Sequence, residues 1–558
     1  MIMKKYMTLK YFYLFAGAMI LQSSLFAQQK GEVKDQEFII RKDRVLTLPK
    51  QPRRFERIPA LPAAKSNSSF SYEVKPYSIY LSPVDIRPEA AQKQFPVNRE
   101  ELYRGFARLG YGNYSSPIVE GRYNIWEEGD YNLGANIRHE GFYTGPVEGR
   151  NSGENFTQVG VAGTIFKDQF QLSGGVDYDR HQFKFYGYDP VAFSNFLPME
   201  NILNTFRLNA GIQNIEKMGG INYKANVLAR VFNDQFEAVE NELALKGASD
   251  YWFDDHMSVA LGLNLSLTRP KDEFYQDISR NYFRLNPSFG YQKNGLKAKI
   301  GANLVVENDQ WEEKKSNIHI FPSIYAEYML QDAFGVYASF EGDVHRKTYF
   351  DFVRENPFLG PSTSLLNTIQ NYAVKAGVKG TVLEELTYEA GVSYGKFQHM
   401  HFFANSPLDS AKFNVFFDDD TRVLNYSLKL GWEYDGWYRL VGSVDYFQYT
   451  MGTLGFAFHR PEWQVQLNNN FTPGKKWLLQ FNANLMGGIV APVLYYDIMN
   501  SPVNLPAVLD LQVKADYQIT ERISAFVTGN NLLNRNNSRF LHYPVRGIQG
   551  IAGVTFKF

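Results

Sequence analysis

The 558-residue chain contains no cysteine, so it depends on no disulfide and offers no Cys for a lipid anchor. It has no net charge either: 58 basic residues face 58 acidic ones, which leaves no electrostatic footprint for nucleic acid. After the first thirty residues it lacks any long apolar run, because charges interrupt every stretch within a few residues. Helical membrane spans are thereby excluded. Enzyme signatures are missing too. There is no G-x-S-x-G, no Walker-type glycine loop and no H-E-x-x-H, and the HEG at His139 has no second His four residues after the first. The sequence therefore reads as a non-enzyme with no assigned cofactor.

What is abundant is aromatic residue and glycine: 36 Tyr, 44 Phe and 44 Gly. That mixture suits many strands with aromatic edges. Residues 1–27 have the layout of a secretory signal, with Lys4, Lys5 and Lys10 ahead of the short apolar core YFYLFAGAMIL and Ala27 at the cleavage position. Residues 28–102 carry scattered prolines and the basic cluster PRRFER without a sustained period. They read as an extended segment, a partial plug or a periplasmic contact.

From Tyr103 to Phe558 the pattern changes to period two. In HMSVALGLNLSLT, Met257, Val259, Leu261, Leu263, Leu265 and Leu267 alternate with small or polar residues, and LDLQVKADYQIT repeats the theme from Leu509. Such alternation makes strands with one apolar and one polar face. Ten tight connections punctuate the region, among them KNG at 293–295 and YDGW at 434–437. Longer ones lie between them, such as 182–203, 346–369, 399–420, 487–504 and 535–548. Tight turns at one end and long loops at the other predict a transmembrane antiparallel β-barrel of about 22 strands in the outer membrane of a Gram-negative bacterium. Trp126, Trp252, Trp437 and Trp477 each sit within two residues of a tight turn and are expected to form an interface girdle. The final strand, ending GVTFKF, is expected to pair with the first near Tyr103, because lipid tolerates no unpaired edge.

The C-terminal stretch GNNLLNRNNSRFLHYPVRGIQGIAGVTFKF resembles the closing hairpin of TonB-dependent receptors. Asn531, Leu532 and Asn534 stand where that family has N-L-x-N, and Tyr543 and Pro544 match its Y-P element. Gly553, Phe556 and Phe558 resemble the assembly signal of outer-membrane barrels, which implies the barrel-assembly machinery as a partner during biogenesis. The family's folded plug has no recognisable counterpart in residues 28–102.

Candidate sites follow from the same pattern. Lys224, Asn226, Arg230, Lys375, Lys379, Asp510, Gln512, Lys514 and Asp516 are expected to face the lumen, since a charge facing lipid at mid-depth costs about 2–4 kcal/mol. His399 and His401, spaced for one face of a strand, offer half of a metal site or a polar loop base, with no third ligand in view. Asp418–Asp420 suit either a divalent cation, including those bridging lipopolysaccharide, or a solvated loop tip. The aromatic segments at 183–196 and 493–499 suit a sugar, a peptide, a surface or periplasmic protein partner, or mutual packing over the pore. Two functions remain open: a passive or partner-gated transport channel, and a structural or accessory subunit of an envelope assembly with an occluded lumen.

Overall fold

The computed structural model describes residues 103–558 apart from 189–197, 216–219, 273–277, 310–316, 361–363, 408 and 493–501. The expected signal, the Pro-rich segment 28–102, most of the turn at 217–220 and the aromatic segment 493–499 lie outside the described residues.

The described chain forms one 22-stranded antiparallel sheet that closes on itself, the last strand pairing with the first. Two small hairpins lie within its loops: Met400–Asn405 with Phe413–Asp418, and Val490–Pro492 with Pro502–Asn504. Tight turns join successive strands along one rim. At two of them, Asn294–Gly295 and Asp435–Gly436, both residues have positive φ (51° and 80°; 46° and 69°). This is the conformation in which Asn-Gly and Asp-Gly match the twist of a hairpin. The longest strands, Phe170–Phe185 and Met199–Asn214, run 16 residues, well past the 9–11 or so that a tilted strand needs to cross the bilayer, so they carry the sheet beyond the membrane on the long-loop side.

Burial is inverted relative to a water-soluble protein. Leu243, Leu261, Ile300, Val374 and Leu428 stand exposed on the outer face, while Glu242, Ser266, Asn303 and Glu389 on the opposite face are buried. Lipid solvates the first set, and the enclosed wall satisfies the second.

Closure depends on the two chain ends. Gly105 and Phe558 exchange both backbone hydrogen bonds, at 2.9 and 3.0 Å, and the Phe558 ring stacks over Tyr123 at 6.0 Å. Higher on the seam, Gly110 lies opposite Gly553, and Phe526 of the neighbouring strand is itself the cross-strand partner of Gly553. The Phe526 ring lies against both glycines, with the Arg108 guanidinium 3.7 Å over it. A Cβ on Gly553 would meet that ring at 2.6 Å and the backbone of Gly110 as well. The glycines therefore make room for an aromatic that seals the seam from within.

Gly553→Leu is accordingly expected to overpack the seam by more than the usual 1–3 kcal/mol or so, and Gly553→Ala by about that amount. The urea midpoint of the heat-modifiable, folded species on gels checks this: it should fall in the order wild type, Ala, Leu.

Candidate functional site: a loop bridge across the lumen

The long loops do not stand away from the barrel. They fold inward and meet over the lumen in a dry core that includes Phe352, Phe358, Phe403, Phe413, Phe540 and Tyr543, all at most 4 % exposed.

One half of this bridge is the loop between His345 and Thr368, which contains the short helix Tyr349–Glu355. Thr348 caps the helix reciprocally with Asp351: its hydroxyl accepts from the Asp351 N–H at 3.1 Å, and its own N–H donates to the Asp351 carboxylate at 3.0 Å. The first turn then docks on the barrel wall. Glu240 accepts from the Tyr349 and Phe350 N–H groups at 2.7 and 3.3 Å, and Arg230 joins Glu240 at 3.2 Å while stacking 3.8 Å over Phe350. Arg280 fastens both ends of the loop, donating to the Lys347 carbonyl at 2.6 Å and to the Asn367 side chain at 3.0 Å, with Asp309 as its counter-ion at 2.7 Å.

The other half is the hairpin from Met400 to Asp418. Met400 and Phe402 pack on Phe397, Val423 and Phe447 of the wall strands from which the hairpin rises. Asp418 ties this half to the next loop, accepting from the N–H groups of Gly452, Thr453 and Leu454 at 2.7–2.9 Å and from two threonine hydroxyls. Although burial acts against it, this set of donors holds the Asp418 carboxyl below its ordinary value.

The halves meet at two places. The first is ionic and fully buried: Glu355 at the helix end binds Arg460 at 2.9 Å and the His401 Nε2 at 2.8 Å, with Lys347 at 3.8 Å. Burial keeps His401 neutral, its pKa pushed down to about 3, while Arg460 and His401 hold Glu355 well below the carboxylate range against the opposing effect of burial. The His401 Nε2 lies between the Glu355 carboxylate at 2.8 Å and the Arg460 guanidinium at 2.7 Å, and Arg460 also donates to the His401 carbonyl at 2.9 Å. The second meeting place is aromatic. Tyr543 stacks on Phe358 with centroids 3.6 Å apart, meets Tyr186 edge-on at 4.9 Å, and donates its hydroxyl to the Ala411 carbonyl.

These contacts revise several expectations. His399 has φ 53° and faces Asp419 at 3.4 Å, whereas His401 points into the ion cluster. The left-handed residue breaks the alternation that would have put both on one face, so they do not form half of a metal site. Among the described residues no group of three metal-type ligands assembles. Asp418, Asp419 and Asp420 each have a protein partner, Asp420 binding Lys396 and Arg422 at 3.0 and 3.1 Å. Trp437 and Trp477 are exposed beside the tight-turn rim, packed on Phe471 and Tyr517. Trp126 and Trp252 lie at the same height but on the inner face, since their neighbours Ile125 and Phe253 are the exposed ones and their cross-strand partners are Asn132 and the buried Ser258. Distance from a turn sets height along the barrel, whereas parity sets the face.

The other polar strand residues lie opposite exposed apolar neighbours. Lys375 binds Glu389 at 3.1 Å, Lys379 binds Glu327 at 2.7 Å, and Lys514 and Arg108 share Asp516 at 3.2 and 3.3 Å. Gln512 donates to Asp510 at 2.9 Å, and Asp510 also accepts from the Asn531 N–H. Lys224 and Asn226 are exposed, while Arg230 is taken up by the helix. Sequence reasoning missed Glu240, Arg280, Glu355 and Arg460, because isolated charges at loop bases carry no local signal. Tyr543 was legible only as half of the Y-P element.

Glu355→Gln leaves the buried Arg460 without its counter-ion, a loss of about 3–5 kcal/mol in bridge stability. Hydrogen exchange should accelerate at 349–355 and 400–418 but not in the wall strands, whereas Arg422→Gln, on an exposed pair, should change little. pH adds a signed expectation. His401 titrates near its ordinary value of 6.5 once the bridge opens, and only near 3 when it is closed. The open form therefore binds the extra proton, and bridge stability, complete above about pH 6.5, falls as pH drops towards 3. His401→Gln should flatten that slope in the same exchange measurement.

Neither a protein-family model nor a curated protein sequence matches this chain. Solved structures do. The FrpB iron transporter from Neisseria meningitidis superimposes with a TM-score of 0.63 at 9% identity over 82% of each chain. The pyoverdine outer membrane receptor FpvA from Pseudomonas aeruginosa gives 0.61 at 13% identity over 82% of this chain and 79% of its own. The siderophore receptor PiuA from Acinetobacter baumannii gives 0.59 at 8% identity over 82% of each. At such identities the likeness is one of fold. The chain is an outer-membrane β-barrel with the fold of these receptors.

Proposed function

We propose that the chain is an outer-membrane transport barrel gated by its own loop bridge, which a solute or a protein partner displaces. The observation that carries this is the bridge itself. A 22-strand barrel encloses a lumen too wide to leave open, and here the helix-bearing loop and the hairpin, rising from neighbouring strands, join further loops at the Glu355 cluster and the Tyr543 stack.

The paired Lys375, Lys379, Lys514 and Asp516, together with Lys224, Asn226, Arg230, Asp510 and Gln512, line the path, and the mixture of signs gives it little ion selectivity. Residues 28–102, as a partial plug or periplasmic contact, precede in sequence a first strand that begins at the tight-turn rim. Trp437 and Trp477 anchor that rim in the lipid interface. Gly553, Phe556 and Phe558 would present the closing strand to the assembly machinery.

Conductance in planar bilayers tests the proposal on three proteins: mature chain, chain lacking residues 28–100, and the Glu355→Gln/Arg460→Gln double variant. Small or rare currents in the first and larger, more frequent openings in the double variant are expected. An increase in the deletion would assign part of the seal to residues 28–100. Silence in all three would overturn transport and leave a scaffold with an occluded lumen, for which co-purifying partners would be the next observation.

A further inference from the structure

Below the bridge, one sector of the inner wall differs from the rest. The strands Trp463–Phe471 and Trp477–Gly487 are neighbours, and their register sets Gln466 opposite Asn484, Asn468 opposite Asn482, and Asn470 opposite Gln480. The outward residues of the same strands include Trp477 and Phe481, both exposed to lipid, so the six amides share the inner face. They form a grid of three directly opposed pairs, a few ångströms apart across the strands and about 7 Å apart along them.

Their hydrogen bonding is incomplete. Gln480 donates to Asn470 at 2.8 Å, but the side chains of Gln466, Asn468, Asn482 and Asn484, all half-buried, have no hydrogen-bond partner among the described residues. Elsewhere on the wall several charged groups pair with each other, as in Lys375–Glu389, Lys379–Glu327 and the Asp516 cluster. The open hydrogen-bonding capacity of the four amides is itself neutral, with charges of both signs beside the grid, Arg439 opposite Asn470, Lys514 opposite Gln480 and Asp510 opposite Asn484, and each amide offers a donor and an acceptor side by side.

From this we infer that the amide grid is a binding face for a neutral, hydroxyl-rich solute of the oligosaccharide type. A sugar hydroxyl donates and accepts at once, which matches paired amides and gives no advantage to an anion. An extended peptide is disfavoured because strand addition needs a free sheet edge, and the closed barrel has none. The inference rests on the transport reading for its route of access, but its test can fail separately.

Calorimetry on the full chain in detergent, with maltohexaose, cellohexaose and xylohexaose as neutral probes, trigalacturonic acid as an anionic probe and hexaglycine as a peptide probe, reads it directly. The Glu355→Gln variant would be measured beside wild type so that a closed bridge does not mask the wall. At least one neutral sugar should bind, and Asn468→Leu/Asn482→Leu should weaken it by about tenfold or more. The variant's folded gel mobility and urea midpoint should stay unchanged. Failure of all three neutral sugars, tighter binding of the acid or of hexaglycine, or equal affinity in the leucine variant would overturn the inference. If the barrel conducts without binding sugar, only this inference falls; if sugar binds to a barrel that never conducts, the binding face stands and the transport reading falls.

Discussion

Lipid offers no hydrogen bonds, and every other feature of this protein is a consequence of that. A sheet in lipid must close, so the first strand and the last exchange their backbone bonds at Gly105 and Phe558, and the chain ends in an aromatic that belongs to the barrel wall. Closure with 22 strands then creates a second problem, a wide lumen, which the long loops occupy.

The bridge solves that problem with the resources of a water-soluble core inside a protein whose own outer surface is apolar. Its aromatic residues pack on each other, and its buried charges are arranged so that cations and carboxylates meet: Arg280 with Asp309, Arg230 with Glu240, and Arg460 with Glu355. Such pairs add little net stability over apolar substitutes, yet removing one partner is severe. They are suited to defining one closed arrangement that remains capable of opening.

The C-terminal resemblance acquires a physical basis here. Asn531 and Asn534 both adopt positive φ, 46° and 49°, which asparagine tolerates better than most residues. The Asn531 amide donates to the carbonyls of Arg535 and Arg546, and the Asn534 carbonyl accepts from the Ile548 N–H, so the pair shapes the last loop. That loop delivers Tyr543 to the aromatic junction and Arg546 to Glu154, 3.1 Å away. Gly547 lies where the Asn534 side-chain oxygen and the Tyr114 hydroxyl approach closely, so a Cβ there would displace them.

Strand, turn and rim were legible in the sequence because they depend on neighbours: period two defines two faces, and Asn294–Gly295 or Asp435–Gly436 defines a hairpin within four residues. The closing strand was legible for the same reason, as its alternation continues to Phe558. Other features were decided only by the fold. The faces of Trp126 and Trp252 turned on parity at the strand end, and the separation of His399 from His401 on a single left-handed residue. The meeting of Tyr543 with Phe358, and of Glu355 with Arg460, joins loops far apart in the chain. Local pattern carries the free energy of a hairpin, whereas the bridge exists only once the closed barrel holds its loops within reach of one another.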